Sequence, residues 1–487
     1  MGITWPIRYK LPHEPPPALD LSTEVNRDVY IDLARYDWPF ENLVLEGGGT
    51  KGTAYPGAIQ VLEDVGILQR IKRFGGTSSG ASAAGLLSVG FKSGEIAALL
   101  DMDQRVILKD ARGGYFSLVP NFLRLFGWNP GDRYLNLLKM CMRHKTGNPD
   151  YTFRQLYDDK GIELCIVCAN VSKKNIEYFH PKTTPDVPIA LAMRMSASIP
   201  VFFQPKSLEK TGNKHYLVDG GLICPYPIHV FDGWFLSMRP EDSFFKKLGT
   251  EEDPFERPMG EFSNCQNSRH KHETIGIVLY ATDELDLMRV GTNSRDLREK
   301  ASSQRPDTPL ARLRGQHMDK VKADEDKKLQ ISSAAKTVFR AFHDKLETRD
   351  SESLRILFGD NFDIDSTFRE LDNQQDKQIT AVEFFALLEK KGVISPLEST
   401  LGFATSPILS VKDYFSALLA TVHVSSQKQY ITASDVERTI GVCTDYIRIL
   451  DLNMEAEDKL FLRQQGRLGT VSFLRGYLQK NSIPLKK

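Results

Sequence analysis

The sequence predicts a mostly parallel α/β domain followed by an all-helical one, and three observations carry that prediction. Between about Asn42 and Asp283, short apolar runs (NLVLE, IKRFGG, IELCIVCAN, YLVDGG, TIGIVLYA) alternate with longer stretches of helical spacing, the pattern of strands joined by crossover helices. After Leu285 the composition turns charged and polar, as in NSRDLREKASSQRPDTP and HMDKVKADEDKK, which reads as a linker with helical segments. Beyond Ile331 apolar residues recur at helical spacing to the end, as in SAAKTVFRAFHDKL and AVEFFALLEKKG. The expected organisation is an N-terminal extension (1–41), an α/β domain (42–284), a charged linker (285–330) and a helical domain (331–487).

Bulk composition narrows the function classes. A chain of 487 residues with 41% hydrophobic and 26% charged side chains is an ordinary globular sequence long enough for two or three domains. Its 63 basic and 63 acidic residues cancel, so no overall field draws it to nucleic acid, and none is expected as a partner. Of six cysteines the one close pair, Cys165 and Cys168, lies in an apolar run and reads as core thiols in a reducing compartment. The N-terminal stretch has no signal-peptide core, Pro6 stands where a myristoylation motif wants Ser or Thr, and no run is long enough to span a membrane. A cytoplasmic location is expected.

The first strand runs into LVLEGGGTKGTAYPG, a glycine loop before a helix that suits either a phosphate or a transient oxyanion. Gly47, Gly49 and Gly52 fit G-x-G-x-x-G, but the acidic residue a dinucleotide fold wants about 20 positions on is replaced by Lys72 and Arg73. Lys51 precedes Gly52 instead of following it, which argues against a P-loop. The second strand ends in FGGTSSGASAAG, where Gly76, Ser78 and Gly80 form G-x-S-x-G at a strand-to-helix turn. That is the context of a nucleophile elbow; a Gly/Ser-rich turn without chemistry is the bland alternative. Ser79 is a poorer nucleophile because Thr77 precedes it where a glycine is wanted. The run YLVDGG places Asp219 at a strand end before Gly220 and Gly221, where a carboxylate can reach across a cleft. By order His229, His270 and His272 could complete a triad, but none stands in a distinctive motif.

The series GGGTKG, GTSSG and DGG, with TFRQLY, LCIVCANV and LAMRMSASIPVFFQP between and around them, resembles the patatin-like phospholipases over roughly residues 42 to 235. The resemblance implies a three-layer α/β/α sheet domain and a Ser-Asp dyad: Ser78 as nucleophile, Asp219 as base, and the amides of Gly47, Gly48 and Gly49 as the oxyanion hole. Lys51 would lie beside that hole, either drawing in a substrate phosphate or solvated at the surface. The implied activity is a phospholipase A type acyl hydrolase, a serine esterase of lipid degradation with an acyl-Ser78 intermediate and no required cofactor. Its substrate would be membrane or micellar phospholipid, so peripheral membrane association is expected. The segment GGYFSLVPNFLRLFGW, with one charge at Arg124, is a candidate interfacial patch or core packing.

In the C-terminal half, FRELDNQQDKQITAVEFFALL resembles an EF-hand. Asp372, Gln374, Asp376, Thr380 and Glu383 fall on its ligand positions as candidate calcium ligands, although Lys377 replaces the turn glycine. QKQYITASDVERTI and GRLGTVSFLRGYL read as metal-free echoes, with Val424, Lys428 and Arg475 at ligand positions. The expectation is an all-helical, EF-hand-like domain serving as a regulatory module for a protein activator. The rival reading of the whole chain is a catalytically silent lipid-binding or regulatory scaffold whose C-terminal domain recruits protein partners.

Overall fold

The computed structural model describes residues 11–210, 212–232, 236–240, 271–282, 304–343, 351–359, 380–393, 408 and 411–486. The chain separates into two compact units, one drawn from 1–281, 286–311 and 408–487 and the other from 282–285 and 312–407.

In chain order the strands are β1 (Asn42–Leu45), β2 (Arg73–Thr77), β3 (Gly127–Asn129), β4 (Glu163–Asn170), β5 (Asn175–Phe179), β6 (Val201–Phe203), β7 (Lys206–Lys210), β8 (Asn213–Asp219), β9 (Thr274–Ala281) and β10 (Thr439–Asp445). β3 and β6 form a small sheet; the other eight form one mixed sheet ordered β10-β9-β1-β2-β4-β8-β7, with β5 also on β4. The pairs from β10 through β4 are parallel, while β5, β8 and β7 join antiparallel. Every residue of β1, β4 and β9 is buried, which is why these strands read as continuous apolar runs. Helices α1 (Tyr55–Asp64), α2 (Ser79–Val89), α3 (Ser93–Asp101), α4 (Gln104–Leu108), α5 (Leu118–Leu125), α6 (Asp132–Thr146), α7 (Phe153–Lys160) and α8 (Ile189–Ser196) complete the part before β6. Among the described residues no helix is long and apolar enough to cross a membrane.

One detail of register positions the site. β5 pairs with Ile166 to Asn170 of β4. β2 pairs with Glu163 to Val167 and β8 with Cys168 to Asn170. A strand has two edges, and β5 overlaps both partners, so β2 and β8 share the other edge. They run head-on along it and meet where Thr77, opposite Val167, faces Asp219, opposite Cys168. The turns after both strands therefore leave the sheet at one point.

The expectation of an all-helical region over 331–487 is corrected. Thr439–Asp445 is β10, parallel to β9 and with Ile440 and Val442 buried. A short apolar run of this kind cannot be told from a helix by period alone, and the short helix Ala433–Val436 just before it does carry a Thr432 capping box. GRLGTVSFLRGYL, read as a loop-bearing echo, lies inside the helix Ala456–Lys480. Its first two glycines mark close approach instead of a turn: a Cβ on Gly466 would lie 2.2 Å from the Ala54 carbonyl oxygen, and one on Gly469 2.5 Å from that of Gly441. Gly57 of α1 reciprocates, its added Cβ falling 1.8 Å from the Arg463 carbonyl oxygen. The N-terminal extension joins the same packing, with Phe40 against Phe473 and Tyr477 and Glu24 accepting hydrogen bonds from Arg463 and Arg467.

The second unit contains most of the helix Pro309–His343, with Ser351–Phe358 and Ala381–Lys390. Ala334, Ala335, Val338, Leu354, Leu357, Phe384, Leu387 and Leu388 make its own apolar core.

Candidate active site

Ser78 sits between the end of β2 and the start of α2 with φ 53° and ψ −121°, a strained conformation for a residue with a side chain, costing about 1–3 kcal/mol. The flanking glycines make the turn feasible. A Cβ on Gly76 would lie 2.5 Å from the Gly80 backbone, and one on Gly80 would lie 2.3 Å from the Leu45 carbonyl oxygen. The turn is also tied from outside, since the Ser78 N–H donates to Ser196 Oγ at 2.8 Å and that hydroxyl donates to the Val167 carbonyl at 2.6 Å. Ser196 thus links the elbow to β4, a role that its place in MSASIP did not reveal.

Ser78 Oγ donates to Asp219 Oδ2 at 2.6 Å, and the Gly221 N–H donates to Asp219 Oδ1 at 2.7 Å. Both side chains are buried. Burial pushes the Asp219 carboxyl up to about 6, against the lowering effect of the Ser78 and Gly221 hydrogen bonds and of His423 and Arg194 nearby. A carboxylate with that value is a competent general base near neutral pH, whereas an exposed aspartate is a poor one. Gly220 is required by crowding, as its added Cβ would fall 2.3 Å from the Val167 carbonyl oxygen.

The glycine loop stands over this pair but does not present three equivalent amides. The Gly47 N–H donates to the Pro225 carbonyl at 2.9 Å, and the Gly48 N–H to Ser79 Oγ at 2.9 Å. Gly47 is held by backbone, while the partner of Gly48 is a hydroxyl that can rotate away. Ser79 therefore serves the loop. Gly49, at φ +55°, is pressed against Ile449, whose carbonyl oxygen would lie 2.3 Å from an added Cβ and accepts the Thr50 N–H at 2.9 Å. Gly52 packs on Ser79. Lys51 is only 1% exposed, which corrects the solvated-surface alternative.

Sequence reasoning missed a second neighbour of the pair as well. The helix Val411–Tyr430 brings Leu419, Val422 and His423 to the cleft that also holds Ser78, Asp219 and the three loop glycines. His423 Nε2 contacts Glu46 Oε1 at 3.1 Å; the same carboxylate accepts from Gln427 at 2.7 Å and from the Leu279 N–H at 2.6 Å. Glu46 is a fully buried acid at a strand end just before the glycines. His423 follows Asp219 by about 200 positions in a helical stretch without a motif. The histidines weighed on order lie elsewhere: His229 is half-buried, its Nε2 3.1 Å from the Tyr178 hydroxyl, with desolvation pulling it down to about 4, His272 is exposed, and His270 is outside the described residues.

Beside the cleft, which encloses about 40 Å³, lies an apolar cavity of about 150 Å³ that also opens on Ser78. Leu86, Ile96, Leu99, Leu100, Leu137, Leu138, Phe202 and Phe203 line it, with Ile449, Leu450, Leu452 and Met454 contributing from the C-terminal segment. Tyr134, whose hydroxyl lies 2.5 Å from Ser82 Oγ, is among its few polar groups. Arg194, buried beneath, donates to the carbonyls of Gly131 and Pro130 and stacks on Phe203, and burial lowers it to about 10.

Cys165 and Cys168 are fully buried in β4 with their thiols pushed up by burial. Of the candidate calcium ligands, Asp372, Gln374 and Asp376 lie outside the described residues. Thr380 and Glu383 are engaged with each other in the N-terminal cap of Ala381–Lys390, Thr380 Oγ1 donating to Glu383 Oε2 at 2.7 Å. Among the described residues no group of three or more His, Cys, Asp or Glu is placed to hold a metal ion.

Residues 43–232 match the family model described as patatin-like phospholipase. An uncharacterized protein of Bacillus subtilis, YqhO, is 33% identical over 199 residues, covering 39% of this chain and 65% of its own length. A protein of Invertebrate iridescent virus 6 named probable lipid hydrolase 463L is 29% identical over 201 residues, covering 39% of this chain and 63% of its own. The chain thus spans less than two thirds of either relative. Among solved structures, VipD from Legionella pneumophila aligns over 91% of this chain and 68% of its own, with 14% identity and a TM-score of 0.42.

Proposed function

We propose that the patatin-like phospholipase domain at residues 43–232 makes this protein a lipid acyl hydrolase of phospholipase A type, working through the dyad of Ser78 and Asp219. The observation that carries the proposal is the 2.6 Å hydrogen bond from Ser78 Oγ to a buried carboxylate at the mouth of an apolar cavity. Ser78 Oγ attacks the ester carbonyl carbon while its proton passes to Asp219 Oδ2. The tetrahedral oxyanion takes the Gly49 N–H, and the Gly48 N–H once the Ser79 hydroxyl has turned away. Collapse breaks the bond to the leaving alkoxide, which takes the proton back from Asp219 and leaves an acyl-Ser78 ester. Water then repeats the sequence, and Asp219 again accepts and returns one proton. The apolar cavity holds the acyl chain, its lining matching hydrocarbon and excluding water, while the cleft beside His423 and the glycine loop holds the glycerol side.

The test is free fatty acid release from phosphatidylcholine vesicles by the purified protein, beside Ser78→Ala and Asp219→Asn. Release by the wild type and loss of at least about a hundredfold in both variants is expected. Undiminished release by a folded Ser78→Ala protein would overturn the assignment. Vesicle binding without release by the wild type would favour the silent scaffold instead.

A further inference from the structure

The turn before α5, α5 itself and Phe126 after it expose an unusual amount of hydrocarbon. Tyr115, Phe116, Val119, Leu123, Leu125 and Phe126 all face solvent, Phe116 at 91% and Leu123 at 71% exposure. A contiguous exposed patch of this kind marks an interaction surface. Two further observations say what covers it. No acidic residue occurs between Ala111 and Gly131, and the cations at the patch, Arg112 and Arg124, are exposed. A third cation, Lys214, lies over the ring of Tyr216, which in turn meets the edge of Phe126. An apolar face rimmed by basic side chains complements an anionic lipid surface. The patch is also continuous with the cavity beside Ser78: Tyr115 touches Trp128 with ring centroids 5.0 Å apart, Trp128 meets Phe202 at 6.3 Å, and Phe202 lines the cavity.

We infer that α5 and its flanking turns dock on the surface of an anionic lipid bilayer, seating the aromatic path at the point where an acyl chain leaves the membrane for the cavity. The inference rests on the acyl hydrolase reading for the direction of traffic, but docking itself needs no catalysis. Phe116 and Leu123 enter the acyl region, and Arg112, Arg124 and Lys214 remain at the headgroups.

The experiment measures cosedimentation with vesicles of phosphatidylcholine, with and without phosphatidylserine, beside hydrolysis of a soluble butyrate ester that needs no surface. Wild type, Phe116→Ser/Leu123→Ser and Arg112→Glu/Arg124→Glu are compared. All four side chains are exposed, so the variants keep the fold, and circular dichroism checks it. The apolar double variant is expected to lose vesicle binding by at least about tenfold for each side chain withdrawn from hydrocarbon. The charge-reversal variant is expected to lose the gain from phosphatidylserine by about fivefold per residue, and both are expected to hydrolyse the soluble ester like the wild type. Vesicle binding by the apolar double variant equal to that of the wild type overturns the inference, as does a wild type that ignores both vesicle types, which would leave the patch to a protein partner. Lost vesicle binding with no ester hydrolysis by the wild type would sustain the docking surface and sink the hydrolase reading, so the two fail separately.

Discussion

Replacing Asp219 by asparagine should drive activity and stability in opposite directions. Burial raises this carboxyl from 3.8 to about 6, so holding it ionised costs the fold about 3 kcal/mol. Because the folded value is the higher one, the stabilising contribution is fully present below pH 4 and is lost as the pH rises through about 6. At pH 8 the asparagine variant escapes that cost and is expected to be more stable than the wild type by up to about 3 kcal/mol, a gap that closes towards pH 4. Its hydrolysis of a soluble ester should meanwhile fall by at least about a hundredfold. In the wild type, kcat/KM should drop on an acid limb near pH 6, reaching about a tenth of its plateau at pH 5, where roughly one carboxyl in ten is ionised. Urea denaturation at the two pH values and a pH-rate profile supply the measurements. A variant less stable than the wild type at pH 8, or a flat profile between pH 5 and 7, would refute the buried-base account. His423→Gln is the companion: it removes an influence that lowers the Asp219 carboxyl, so the acid limb should move to higher pH.

Other consequences are more local. Ser196→Ala leaves the buried Ser78 N–H and Val167 carbonyl without their shared partner, and should cost about 1–3 kcal/mol in chemical denaturation with a fall in kcat larger than the rise in KM. Leu100→Trp, at a half-buried position in the cavity lining, should cut kcat/KM for long-chain esters by about tenfold and spare butyrate; equal loss on both would remove the acyl chain from that cavity. Treatment with a chelator should leave fatty acid release unchanged, because Glu383 caps its own helix; a calcium-dependent rate would establish the loop at Asp372 to Glu383 as a metal site.

The parts of the site that were legible in the sequence are those where the backbone itself is constrained. Gly76, Gly80 and Gly220 are glycines because a Cβ would strike backbone atoms within 2.5 Å, and such positions leave a fixed spacing around Ser78 and Asp219. Gly466 and Gly469 obey the same physics but stand in the stretch read as an EF-hand echo, since a glycine where two backbones cross looks in sequence like a glycine in a turn. β10 was lost for a related reason: seven residues beside a buried edge carry too little periodicity to outweigh the helical pattern around them. His423 and Ser196 were illegible because their partners, Glu46 and the Ser78 amide, are set by tertiary packing alone.

The sheet is also assembled out of chain order. β9 ends at Ala281 and its outer neighbour β10 begins at Thr439. At ribosomal speeds of roughly 5–20 residues per second, on the order of ten seconds separates the two strands during synthesis. Throughout that interval the nascent sheet carries β9 as a bare edge, open to pairing with another chain. The helical residues that core the second unit, Ala334 to Leu388, all emerge within the same interval. Translation halted before residue 439 therefore yields a polypeptide that possesses both Ser78 and Asp219 yet has an unfinished sheet, and such fragments are candidates for chaperone capture.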